Sequence, residues 1–122
     1  MDIRIHRVYD KLPDTEGYGI LVDRLWPRGI SKSSTPWDFW EKEIAPSDVL
    51  RRWFNHIPER FDEFKSRYFK ELDNNPQTPG FLSFVKEKLE KQNVIFFFSA
   101  RDQEHNQAVV LREYTVERLY LS

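Results

Sequence analysis

Val94-Ile95-Phe96-Phe97-Phe98 constrains this chain more than any other segment. An unbroken apolar run rich in strand-forming residues, with no polar position in alternation, describes a strand covered on both faces. Polar residues take over at once in Ser99-Ala100-Arg101-Asp102. A last helix is then expected from Glu104 to about Arg118, packing through Ala108, Leu111 and Tyr114. Strand, turn and helix in that order predict an α/β fold: a small, mainly parallel open sheet, its buried central strand near residues 94–98, flanked by helices.

The remaining elements follow from periodicity and punctuation. Residues 2–9 alternate, with Ile3, Ile5, Arg7 and Tyr9 on one face, as a strand with a polar far end does. After a polar connection from Asp10 to Gly17, residues 19–23 read as a second short strand, and Pro27 with Gly29 takes the chain out of the sheet. A connection of roughly seven residues is short for a parallel crossover, so either these two strands are antiparallel or their boundaries lie elsewhere. Thr35 followed by Pro36 predicts a short helix. Pro46 interrupts it, and Ser47-Asp48 opens another that ends near Pro58. Glu59 to Leu72 is the clearest amphipathic helix, with Phe61, Phe64, Tyr68 and Leu72 on one stripe. Thr78-Pro79 starts a further helix running to about Gln92. No internal repeat or linker divides residues 1–122, which are expected to form a single domain.

Composition narrows the function classes. With 39% hydrophobic residues, 122 residues can bury a core without a metal or disulfide staple, and there is no cysteine. No apolar run approaches membrane-spanning length and no leader-like segment opens the chain, so a soluble cytoplasmic protein is expected. Nineteen Lys and Arg against twenty Asp and Glu leave a net charge of −1, which gives no general attraction to nucleic acid or acidic lipid. An anion site must therefore be local. His6, His56 and His105 have no ligand spacing, and no metal or cofactor is expected.

Two segments carry candidate chemistry. Asp23-Arg24-Leu25-Trp26-Pro27-Arg28-Gly29 places two guanidiniums, a carboxylate and an indole after a strand, and paired Arg donors suit phosphate or carboxylate. A purely structural account has Asp23 pairing with a neighbouring Arg and Trp26 filling the core. In the second segment, Ser99, Arg101, Asp102 and Asn106 lie where the buried strand hands over to a helix, the edge at which open α/β sheets bind ligands. The structural account there is that Asp102 caps the helix and Arg101 forms a surface ion pair. A third stretch, Trp37 to Glu43, either brings Glu41 or Lys42 to a pocket rimmed by Trp40 or is a short amphipathic helix.

The chain resembles the YeaO-like proteins, a domain-of-unknown-function family of small bacterial and archaeal proteins. The resemblance rests on Arg7-Val8-Tyr9-Asp10, Ile20-Leu21-Val22-Asp23-Arg24-Leu25-Trp26-Pro27-Arg28-Gly29, residues 40–47, Leu50-Arg51, and residues 99–102 with Asn106 and Ala108. Two positions depart from the family pattern: Gly19, where Arg is usual, and Gln107, where His is frequent. The resemblance implies no particular reaction.

The leading expectation is a pocket for a small anionic molecule, a nucleotide or sugar phosphate, where the loop 23–29 meets the turn 99–106. Arg24, Arg28 and Arg101 would hold the anion, Trp26 would wall the pocket, and Asp23 or Asp102 would serve as acid or base if chemistry occurs. Whether that makes an enzyme or a sensor is open at this level. The alternative is a single-strand nucleic-acid or protein-interaction module using exposed Trp26, Trp37 and Trp40.

Overall fold

The computed structural model describes residues 2–12 and 17–120. Its sheet contains β1 (Ile3–Arg7), β2 (Tyr18–Leu21), β3 (Phe39–Trp40) and β4 (Val94–Phe98), ordered β1-β4-β2-β3, with every pairing parallel. Phe96 of β4 pairs with Ile5 on one side and Ile20 on the other, so the apolar run is an interior strand. All five of its residues are buried.

The short connection between the first two strands is resolved by the strand order. β1 and β2 are parallel but not neighbours, because β4 lies between them. Of the expected 10–17 connection, residues 13–16 lie outside the described residues.

Alternation along the strands creates two unequal cores. Ile3, Ile20, Val94, Phe96 and Phe98 face the larger one, which receives α1 (Asp48–Phe54), α2 (Phe61–Asn74), α3 (Thr78–Leu89) and α4 (Gln107–Tyr120). The stripe Phe64, Tyr68 and Leu72 of α2 is buried there, with Phe64 stacked on Phe54 at 4.3 Å between ring centroids. Leu21, Ile95 and Phe97 face the smaller core, which Val8, Trp26, Ile30, Trp37 and Trp40 complete without any helix. The flanking helices thus contribute to one face, and a tryptophan-bearing loop covers the other.

That loop is also where the helix expected from Thr35 is replaced by an edge strand. Thr35 gives its hydroxyl hydrogen to the Trp37 carbonyl (2.8 Å), while the Asp38 and Glu41 N–H groups donate to the Gly19 and Leu21 carbonyls (2.8 and 2.9 Å). The open edge of β2 therefore wins this segment over the local Thr-Pro start signal. Gly19 permits the approach: a Cβ there would lie 2.8 Å from the Phe97 ring and 3.0 Å from the Trp37 Cα.

The helix starts show which local signals hold. Ser47 caps α1 as expected, its Oγ accepting from the Leu50 N–H (3.1 Å) while its own N–H and hydroxyl donate to Glu71 (2.9 and 2.5 Å). α1 ends at Phe54 rather than near Pro58, with Asn55 and His56 both left-handed (φ 47° and 56°). Thr78 is the first residue of α3 rather than its cap, because its hydroxyl donates to the Leu72 carbonyl (2.6 Å) and ties α3 to α2. α4 begins at Gln107, later than expected from Glu104. A turn held by Asp102 occupies the intervening residues.

Candidate anion-binding cavity

Parallel strands bring the chain segments that follow β1, β2 and β4 to one edge of the sheet, and a cavity of about 650 Å³ opens there. Both segments singled out in the sequence contribute to it: Asp23, Arg24, Trp26 and Arg28 from one, Ser99 and Arg101 from the other. Arg7 at the end of β1, Tyr9 beyond it, Arg51 in α1 and His56 just past α1 complete much of the remainder.

Asp23 forms the deep wall and is 6% exposed. Its Oδ2 accepts the Ser99 hydroxyl (2.5 Å) and the Ser99 N–H (3.1 Å), and its Oδ1 accepts the side-chain amide of Gln107. Burial pushes the carboxyl up from its ordinary 3.8 to about 6, and the Ser99 and Gln107 hydrogen bonds limit the rise. Asp23 thus joins the loop after β2 to the turn after β4 and the first turn of α4. The expected alternative, an ion pair with a neighbouring Arg, is not what engages this carboxylate among the described residues.

The arginines differ in how far they are already engaged. Arg24 donates from Nε to the Pro46 carbonyl (2.8 Å) and from Nη2 to the Ala45 carbonyl (3.0 Å), tying the Asp23 loop to the chain before α1. Arg7 donates from Nε to the Ala100 carbonyl (3.0 Å). Arg51 reaches Asp48 through Nη2 (3.2 Å), while its Nε is buried without a hydrogen-bond partner among the described residues. Arg28 and Arg101 are exposed, and neither side chain has a hydrogen-bond or ion-pair partner among the described residues. The surface ion pair weighed for Arg101 is therefore not formed among them. The Arg28 loop is held from its backbone: the Tyr9 hydroxyl donates to the Arg28 carbonyl (2.8 Å), Pro27 is buried, and Gly29 takes φ 78°.

Asp102 and Asn106 stand behind this wall instead of in it. Asp102 Oδ1 accepts the Glu104 and His105 N–H groups (2.9 and 3.0 Å), and its Oδ2 meets His105 Nδ1 at 2.9 Å. These contacts hold its carboxyl below the usual range, the Glu104 N–H first among them. Asn106 is buried, donates to the Asp102 carbonyl (2.9 Å) and accepts the Val109 N–H (3.1 Å), which makes it the cap of α4. Both residues shape the turn that presents Ser99 and Arg101.

The tryptophans are likewise bound to one another. Trp26 meets Trp37 and Trp40 edge to face at 5.1 and 5.4 Å, and Trp37 is 5% exposed. The Trp26 indole N–H donates to the Ile30 carbonyl (2.7 Å) and that of Trp40 to the Asp23 carbonyl (2.6 Å). This packing leaves no exposed three-ring stripe of the kind that stacks successive bases. Trp26 walls the cavity from its half-buried position, whereas Glu41 and Lys42 do not line it.

Among the polar lining residues, Arg7, Tyr9, Arg51, His56 and Gln107 were not assigned to the site from sequence. Arg7 and Arg51 lie within the stretches that resemble the family, and Gln107 is one of the two departures from its pattern. That resemblance was the available signal. For His56 there was none.

Fold and site together define a small parallel α/β domain with an arginine-rimmed cavity at the C-terminal edge of its sheet. The chain belongs to the YeaO-like family, matching over residues 2–121 the family model described as the inactive DUF488-N3 subclade. The uncharacterised protein YeaO of Escherichia coli K12 is 39% identical over 114 residues, covering 93% of this chain and 96% of that protein. Uncharacterised proteins of Mycobacterium tuberculosis H37Rv and Mycobacterium bovis are each 48% identical over 73 residues. That alignment spans 60% of this chain and 62% of each mycobacterial relative. No solved structure matches the chain.

Proposed function

We propose that the cavity binds a small phosphate-bearing molecule, a nucleotide or sugar phosphate, and that binding is its function. The observation that carries this reading is the charge of the lining: Arg7, Arg24, Arg28, Arg51 and Arg101 against the single carboxylate of Asp23 among the described residues, in a chain of net charge −1. Arg28 and Arg101 have planar donor forks to offer. Aromatic Trp26, Phe54 and Phe64 supply apolar wall beside them, and the volume suits a ligand of nucleotide size. Binding without turnover is consistent with the family's description as inactive.

Thermal unfolding with inorganic phosphate, ribose 5-phosphate and adenosine monophosphate tests the reading. A ligand at about a hundred times its Kd adds about 2.7 kcal/mol of stability. Wild type should shift with at least one of the three. Arg28→Ala should unfold at the wild-type temperature without ligand and lose the shift. No shift for wild type refutes phosphate binding, and an Arg28→Ala protein that melts early unliganded makes Arg28 a structural tie.

A further inference from the structure

The cavity is chemically two-ended. Its outer part offers Arg28 and Arg101 as hydrogen-bond donors, whereas its deep wall, Asp23 with Ser99, offers acceptors. An ionised carboxylate has about four acceptor positions. Among the described residues, Ser99 occupies both positions on Oδ2 and Gln107 one on Oδ1, leaving Oδ1 with a position for a ligand. The Ser99 hydroxyl gives its hydrogen to Asp23, so its oxygen has only lone pairs left to present. Gln107, whose amide carries both donor and acceptor, does not alter that balance. A ligand reaching Asp23 or the Ser99 hydroxyl oxygen must bring a donor, and five arginines around the same cavity repel a cationic one. The donors that remain are neutral, and a hydroxyl is the one that sugar phosphates and nucleotides have in common.

We infer that Asp23 is a specificity-determining residue that accepts a hydroxyl of the bound phosphate ester, so that the cavity selects polyol phosphates over alkyl phosphates. This rests on the phosphate-binding reading above and narrows it. Hydrogen bonds to charged groups contribute about 1.5–3 kcal/mol, so the selection should be at least about tenfold.

Titration calorimetry with glycerol 3-phosphate and propyl phosphate, which share a carbon skeleton and differ by two hydroxyls, separates the two levels of the argument. Ribose 5-phosphate serves as a larger polyol probe. Wild type should bind both polyol phosphates at least about tenfold more tightly than propyl phosphate. Asp23→Asn should bring that ratio to within about twofold. Equal wild-type affinities overturn the inference and leave phosphate binding intact, as does an Asp23→Asn protein that keeps the full preference. Failure of all three probes to bind overturns the phosphate reading, and this inference with it. Should Asp23→Asn not fold, the wild-type ratio decides alone.

Discussion

Replacing Asp23 by Asn should change the pH dependence of folding in a direction that most carboxylate substitutions do not. The side chain is 6% exposed, and burial raises its carboxyl from 3.8 to about 6, so the folded chain holds this proton more tightly than the unfolded chain. The sign follows: the associated stability is fully present below the ordinary carboxylate value and is lost as pH rises through about 6. At about 1.4 kcal/mol per pH unit of displacement, the full effect is about 3 kcal/mol, most of it between about pH 4 and pH 8. Asn keeps the shape, can accept from Ser99 through its oxygen, and carries no titrating proton. Urea unfolding of both proteins across that range is the assay, with the difference in free energy plotted against pH. Wild type should lose about 2–3 kcal/mol relative to Asp23→Asn on going from acid to mildly basic solution. Other carboxylates and the three histidines are common to both proteins and largely cancel in the difference. A flat difference, or one in which wild type gains as pH rises, would refute the reasoning. The latter would mean that the surrounding guanidiniums outweigh burial and hold Asp23 ionised.

Three further outcomes test the fold around the site. Phe97→Ala should cost about 3–5 kcal/mol in urea unfolding, because its ring fills the smaller core against Trp37 and His6; a loss below about 1 kcal/mol would contradict that placement. Gly19→Ala should destabilise by about 1–3 kcal/mol, since the added methyl meets the Phe97 ring and the Trp37 backbone at 2.8 and 3.0 Å; a neutral result would show that the Trp loop relaxes freely. Ser47→Ala should cost about 1–2 kcal/mol through loss of the α1 cap and the Glu71 hydrogen bond, and Ser47→Asp should recover little of it because a carboxylate there faces Glu71.

What was legible in the sequence is what local rules decide. The buried run 94–98 could be little else than an interior strand, and the stripe Phe64-Tyr68-Leu72 names the buried face of α2 directly. The Thr35-Pro36 signal misled because helix initiation is local whereas its competitor, the bare edge of β2, is supplied by residues far up the chain. Thr78 and Asn106 show the same limit at smaller scale. Each is a residue type suited to capping, yet only the folded surroundings make Thr78 a tie to Leu72 and Asn106 the cap of α4. At the site, a parallel sheet brings the two charged loops to one edge, so their meeting was open to topological reasoning. The partition of the arginines was not. Whether a guanidinium is held by backbone carbonyls, as in Arg24, or left without a described partner, as in Arg28, depends on where the chain before α1 comes to lie.

Asp23 connects this partition to the second face of the sheet. Its carboxylate engages Ser99 and Gln107, while its backbone carbonyl accepts the Trp40 indole, whose ring packs on Trp26 in the same loop. The loop that covers the smaller core is therefore anchored at the residue forming the deep wall of the cavity. Arg24, next in sequence, fixes the other side by holding Ala45 and Pro46. With both flanks tied, Arg28 can project from a loop whose course is set by Pro27, Gly29 and the Tyr9 hydroxyl rather than by its own side chain. Such a division of labour lets an arginine remain unpaired at little conformational cost, and an unpaired, positioned guanidinium is what a phosphate group binds best.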